Sequence, residues 1–183
     1  MFGSEGLALA SLVPRTMTDF APLNITALAS VNGYSTIQCW QLPTAPVDAM
    51  SALNYGIGNT SKATWSIIEP RTVVGEAWAP SVQLSMVLNG MIHVSAPAAE
   101  ELRNLSAVID DSREAGPPPH VEAYLMPGTL ASSLVIAADM KATSYISGHW
   151  IEFPSNEPTV LVQTPFADNQ VPEHTVLHDG PCE

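Results

Sequence analysis

Between Ile67 and Pro97 two apolar runs, Val82–Leu88 and Met91–Val94, flank the dipeptide Asn89-Gly90. Both residues tolerate positive φ, so Asn-Gly between apolar runs is the strongest short-range hairpin signal a sequence carries. It predicts two antiparallel strands joined by a tight turn and commits this part of the chain to a β-sheet. Ahead of the hairpin, Glu69–Pro80 reads as a loop holding Arg71, the carboxylates Glu69 and Glu76, and Trp78.

The same punctuation continues along the chain. Ser35–Leu42 alternates, with Thr36, Gln38, Trp40 and Leu42 on one face and Ser35, Ile37, Cys39 and Gln41 on the other, the period of a strand. Ala63–Ile68 reads as a strand ended by Glu69-Pro70. Ser133–Ala138 is a continuous apolar run, the mark of a strand buried on both faces. Val121–Met126, Ala142–Ile146, His149–Phe153, Thr159–Gln163 and Val171–His178 complete the set of short extended runs. Ala21–Leu28 reads as a lead-in, Val47–Asn54 as one or two weakly capped helical turns, Ala98–Leu105 as helix, and Asp110–Pro119 as a mobile insertion. Short strands with turns every 8–12 residues predict a sandwich or barrel. No amphipathic helix is long enough for a βαβ crossover. Residues 1–19 read as a flexible N-terminus or signal-peptide remnant, because Leu7–Ser11 resembles the end of such a peptide, and 20–183 read as one domain.

Lys plus Arg number 6 against 18 Asp plus Glu, a formal net charge of −12. Such a field repels phosphate backbones, and no basic cluster opposes it, so nucleic acid is not an expected partner. No run approaches the roughly 18 apolar residues of a membrane-spanning helix, so no membrane partner is expected. Charged residues make up 13% of the chain, and Ser, Thr, Asn and Pro take their place at the surface. Three sequons, at Asn24, Asn59 and Asn104, are candidate glycan sites. With scarce cysteine and lysine they point to the secretory route. Cys39 and Cys182 are either two buried thiols or a bridge from the tail to an early strand. A homodimer is compatible with the sequence.

The spaced pieces Gln38–Leu42, Glu69-Pro70-Arg71, Leu88–Val94, Leu134–Asp139, Gly148–Ser155 and His174–Cys182 resemble, as an ordered set, a group of small secreted fungal proteins with a cupin-like double-stranded β-helix. The resemblance spans Phe20 to Cys182 and implies an all-β, cupin-like jelly-roll barrel with few short helices. It also implies a central pocket and a Cys39–Cys182 disulfide. Metal-binding cupins place H-x-H and a carboxylate on the first half-barrel and a His on the second. The matching loop here, Gly75–Pro80, has no His, so no metal and no other cofactor is expected.

Alternation puts His149, Ile151 and Phe153 on one face of their strand, with Trp150 and Glu152 on the other. A histidine on an apolar, aromatic face serves as a general acid or base near neutral pH, or as a satisfied core histidine. His93, sharing a face with Met91 and Ser95, admits the same two readings. Glu69 and Glu76, at a barrel mouth among Trp65, Trp78 and Met86, would be desolvated and suited to proton transfer, unless Arg71 pairs with one of them. Asp139, after the buried run, reads as a turn residue. Trp40, Trp65, Trp78, Met86, Arg71 and Phe153 are the candidate substrate-binding residues, since aromatic and Met side chains line adaptable apolar pockets. There is no G-x-S-x-G, phosphate-binding glycine loop, H-E-x-x-H or dinucleotide fingerprint. The expected function is a metal-independent cyclase or isomerase of a natural-product pathway, acting on an apolar, polycyclic or unsaturated small molecule inside the barrel. The alternative is a secreted binding or effector protein without turnover.

Overall fold

The computed structural model describes residues 21–105 and 119–183. The expected flexible N-terminus and, except for Pro119, the expected insertion Asp110–Pro119 lie outside those residues. What is described is mostly β, in three sheets. In chain order the strands are β1 (Leu23–Val31), β2 (Tyr34–Leu42), β3 (Val47–Ala49), β4 (Ala52–Asn54), β5 (Thr64–Ile68), β6 (Thr72–Ala77) and β7 (Gln83–Asn89). They continue with β8 (Ile92–Pro97), β9 (His120–Leu125), β10 (Leu134–Ala137), β11 (His149–Phe153), β12 (Thr159–Pro165) and β13 (Thr175–Asp179). Two short helices, α1 (Ala99–Leu105) and α2 (Leu130–Ser133), interrupt them.

One sheet has seven strands in the order β13-β2-β1-β10-β7-β12-β5, and a second has four in the order β6-β11-β8-β9. Only β1 and β10 run parallel; every other pair in these sheets is antiparallel. Successive strands from β5 to β9 therefore change sheet at almost every connection. The eight strands β5 to β12 split evenly: the first, eighth, third and sixth lie side by side in the larger sheet, and the second, seventh, fourth and fifth form the smaller one.

The facing sides of the two sheets hold one apolar cluster, including Leu28, Ile37, Val87, Ile92, Val94, Leu125, Val135, Phe153 and Leu161. A second cluster, with Ile25, Trp40, Leu42, Leu84, Ile136 and Phe166, packs on the far side of the seven-stranded sheet. Alternation along β7 makes the division plain. Gln83 and Ser85 point between the sheets, whereas Leu84 and Met86 belong to the outer cluster. Ser133–Ala138 behaves as its composition predicts: β10 sits between β1 and β7 and is buried on both faces.

Five local expectations fail. Glu69–Pro80 is not a loop throughout, because Thr72–Ala77 within it is β6, paired with β11. Asn89-Gly90 does not close a hairpin, because β7 and β8 lie in different sheets. It is a corner between sheets, held by Asn89 Nδ2 donating to the Pro158 carbonyl (2.7 Å) and by Thr159 Oγ1 accepting from the Met91 N–H (3.3 Å). Gly90 has φ +76°, and a Cβ there would lie 2.7 Å from Thr159 Cα. The tight hairpin sits instead at Asn32-Gly33, with φ 50° and 85°, joining β1 to β2. Ala21–Leu28 is no lead-in but most of β1, an interior strand. Val47–Asn54 is not helical. It is the β3–β4 hairpin, turned by Met50 and Ser51 at positive φ and laced by Asn54 Nδ2 to the carbonyls of Val47, Ala49 and Ala52. Ala142–Ile146 forms turns rather than a strand, because Thr143 and Ser144 donate back to the Met140 carbonyl.

Cys39 and Cys182 form a disulfide, which is compatible with an extracellular or secretory location. Asn59 is exposed. Asn24 is half-buried in β1 and accepts from Gln41 Nε2 at 3.3 Å. Asn104 lies in α1, and its sequon runs into the undescribed residues. No described helix is long and apolar enough to cross a membrane.

Candidate functional site

A cavity of about 210 Å³ lies between the two sheets. The seven-stranded sheet contributes Leu28, Gln83, Ser85, Val135, Ala137, Leu161 and Gln163. The four-stranded sheet contributes Val74, Ala77, Ile92, Val94, Leu125, His149, Ile151 and Phe153. Trp78, Ala79 and Pro80, on the crossing from β6 to β7, complete it. Connectivity polarises the cavity. The β6–β7 crossing brings the end of β6 and the start of β7 to one end, and His149 pairs with Ala77 there. His149, Gln83 and Trp78 therefore gather at the crossing, while Ile92, Leu125 and Phe153 lie toward the Asn89-Gly90 corner.

His149 opens β11 and is buried. Two features set its ring. Gly148 lets the chain pass hard against β6, where a Cβ would strike the Ala77 carbonyl oxygen and the Trp78 ring. Asp139, fully buried just past β10, takes His149 Nδ1 at 2.5 Å and the Ser35 hydroxyl at 2.6 Å on the same oxygen, Oδ2. Asp139 Oδ1 has no partner among the described residues. A carboxylate accepts only, so it holds the proton on Nδ1 and leaves Nε2 as the basic nitrogen. Nε2 has no protein partner among the described residues, and the histidine that carries it lines the cavity.

Trp78 stands at the cavity wall with Nε1 donating to the Ser144 carbonyl at 2.8 Å and the Lys141 ammonium 4.5 Å from its ring centre. Phe153 lines the floor. These two, with His149, are the sequence candidates that the structure brings together.

The remaining candidates do not line the cavity. His93 alternates with Ile92 and Val94, whose side chains face inward, so its ring lies on the outer side of the sheet. There its Nδ1 meets Glu152 at 2.8 Å, its Nε2 lies 3.5 Å from Glu122, and its ring stacks on Tyr124. Glu76 is exposed and accepts from the Gly148 N–H (3.0 Å) and the Ser147 hydroxyl (3.1 Å), which fixes the entry to β11. Glu69 is exposed. Arg71 pairs with neither carboxylate; it sits at φ 56° and donates to Asn156 Oδ1. Trp65 projects from the outer side of the edge strand β5, 61% exposed. Trp40 and Met86 belong to the outer cluster, Trp40 stacked on His174 at 3.6 Å. For His93, Glu76, Trp65, Trp40 and Met86 the two-residue period of a strand sends the side chain to the side away from the cavity, whereas Glu69 and Arg71 lie on the turn between β5 and β6.

Asp139 is the residue the sequence reading passes over. A lone Asp after an apolar run looks like a turn former, and only the fold shows that its carboxylate turns inward against β11. Among the described residues no three His, Cys, Asp or Glu side chains come together as a metal-holding cluster. A larger depression, about 430 Å³, lies outside the space between the two sheets, among Leu42, Ile57, Phe166 and Glu173. Glu173 is the only titratable side chain on its wall, so it offers little chemistry beside the inner cavity. Comparison with protein-family models, with curated proteins and with solved structures finds no match for this chain.

Proposed function

We propose that this protein is a proton-transfer enzyme, an isomerase or cyclase acting on a small apolar molecule enclosed between its two sheets. One observation carries the reading. A buried imidazole, oriented through Nδ1 by a buried carboxylate, lines an apolar cavity with its Nε2 unpartnered among the described residues. The strand order of β5 to β12 supports a double-wound, cupin-like jelly roll for the enclosing barrel. The disulfide supports a secreted location.

In this reading Nε2 removes a proton from an activated carbon of the bound molecule. The electron pair left behind shifts along the conjugated system, and the imidazolium returns the proton at a second carbon. Nothing is consumed, and the product is an isomer; where the shifting pair closes a ring, the same step is a cyclisation. Asp139 keeps the tautomer and stabilises the positive charge the ring acquires. Positioned acid–base catalysis contributes about 10²–10⁴-fold in rate, and confinement adds to it by orienting the substrate. The cavity lies below the roughly 300–1,000 Å³ of pockets that take drug-sized ligands, which favours one ring over a polycycle.

The test is solvent-deuterium exchange into a panel of one-ring carbon acids, followed by NMR with wild type and His149→Ala. Exchange by wild type and a loss of about 100-fold or more in the variant is the expected result. Compounds held by the protein but left unexchanged would overturn the enzyme reading in favour of a binding protein.

A further inference from the structure

Three polar side chains line the same cavity from the wall facing His149: Gln83 and Ser85 on β7 and Gln163 on β12. Gln163 is the cross-strand partner of Ser85. Gln83 is 6% exposed and Ser85 is 5%. Buried polar groups in a barrel core are ordinarily hydrogen-bonded on every available side. Here the bonding is one-sided. Gln83 Oε1 accepts from the Ser81 hydroxyl at 3.4 Å, and Gln163 Oε1 accepts from the Ser66 hydroxyl at 3.0 Å. With each amide oxygen occupied, each Nε2 is left as a donor without a protein partner, and the Ser85 hydroxyl likewise has none among the described residues. Facing sheets pack about 10 Å apart, so donors on one wall and a base on the other are within the span of one small ring.

We infer that Gln83, Gln163 and Ser85 form an acceptor site for a carbonyl oxygen, and that the substrate is an enolisable ketone or enone. The inference rests on the proton-transfer reading above and names its substrate class. When His149 Nε2 takes the proton from the carbon beside the carbonyl, the electron pair moves onto oxygen as an enolate. The amide and hydroxyl donors hold that charge, and the pair returns as the proton is delivered to the conjugated carbon. Donors fixed in place by Ser81 and Ser66 stabilise the developing charge without reorganising. The apolar floor at Ile92, Leu125 and Phe153 takes the hydrocarbon.

The probe is 4-nitrophenol, a planar ring whose oxygen carries charge as an enolate does and whose absorbance reports its ionisation. 4-Nitrotoluene, of similar shape and without the oxygen, controls for the cavity. Wild type is expected to bind the phenol more tightly than the toluene and to shift it toward phenolate. Gln83→Leu should weaken phenol binding at least tenfold, and Gln163→Leu several-fold, while 4-nitrotoluene still binds. That retained binding shows that each variant keeps its cavity. Phenol binding by both variants at wild-type strength, or no preference for the phenol in wild type, would overturn the oxygen site. Deuterium exchange separates the two proposals. Exchange that depends on His149 with phenol binding indifferent to Gln83 and Gln163 would leave the enzyme reading and remove this one. Phenol binding that depends on Gln83 in a protein that exchanges nothing would do the reverse.

Discussion

Asp139 Oδ2 accepts from both His149 and Ser35, while Oδ1 accepts from no described residue. Asparagine in its place has nearly the same shape but carries a donor. An amide N–H aimed at His149 Nδ1 would move the ring proton to Nε2 and leave no base at the cavity. Asp139→Asn is therefore expected to lower deuterium exchange by about 10²–10⁴-fold, close to the loss from removing the imidazole, while the fold is kept. A variant with wild-type exchange would show that the carboxylate does not set the tautomer. Little of this was legible from residue types alone. Alternation along His149–Phe153 gave the correct inward face, because a strand's side-chain period is fixed by its backbone. Glu69, Glu76 and Arg71 were drawn to the mouth only because they crowd one loop in sequence. In the fold they meet backbone, solvent or Asn156 instead. The glutamines that face His149 carry no sequence signal, since an isolated Gln in an alternating strand reads as solvent-facing.

Two Asn-Gly dipeptides take different paths in the fold, and the difference belongs to the elements around them. At Asn32-Gly33 the flanking strands pair with each other, and the dipeptide makes a two-residue turn. At Asn89-Gly90 the flanking strands have stronger partners elsewhere, β12 and β10 for β7, β11 and β9 for β8, so the same dipeptide turns a corner between sheets. Local chemistry thus fixes that the chain reverses, and long-range pairing decides which strands meet. That is why the all-β class and most strand positions were legible and the sheet assignment was not. Helix α1 followed from composition, and its last turn shows how it is docked. Arg103 donates to both oxygens of Asp179 on β13, at 2.6 and 2.8 Å. Those hydrogen bonds hold the Asp179 carboxyl below its ordinary value against the opposing effect of burial. A carboxyl depressed in the folded state stabilises the protein above its unfolded value, about 3.9, and the contribution is lost as pH falls through the lower folded value. Asp179→Asn should reduce stability at neutral pH by about 0.2–1 kcal/mol, the range for an exposed pair. Urea midpoints of the two proteins should converge as the pH falls below the ordinary carboxyl range and through the lower folded value. A gap that is unchanged by acid would assign the loss to something other than this ion pair.

The whole molecule is closed by its one bridge between distant parts of the chain. Cys39 lies in β2 and Cys182 near the C-terminus, 143 residues apart in sequence with Cα atoms 4.7 Å apart. Around the bond, β13 pairs with β2, the Cys182 N–H donates to Thr26 Oγ1 at 3.0 Å, and both cysteines are buried. The bridge therefore pins the outermost strand of the seven-stranded sheet to the region that carries β1 and β10, and β10 leads directly into Asp139. In the chain-entropy account, joining residues so far apart removes about 5 kcal/mol of freedom from the unfolded chain. A domain of this kind has only about 5–15 kcal/mol of net stability. Reduction, or the Cys39→Ala/Cys182→Ala double variant, is thus expected to cost between a third and all of it, provided the native ladder holds without the bond. Urea unfolding with and without a reductant measures this directly: the midpoint should fall by at least a third on reduction, and the double variant should be insensitive to the reductant. A reduced protein with the oxidised midpoint would mean that the β13 ladder and the Arg103–Asp179 pair already confine the tail, and that the bond adds nothing the fold lacks.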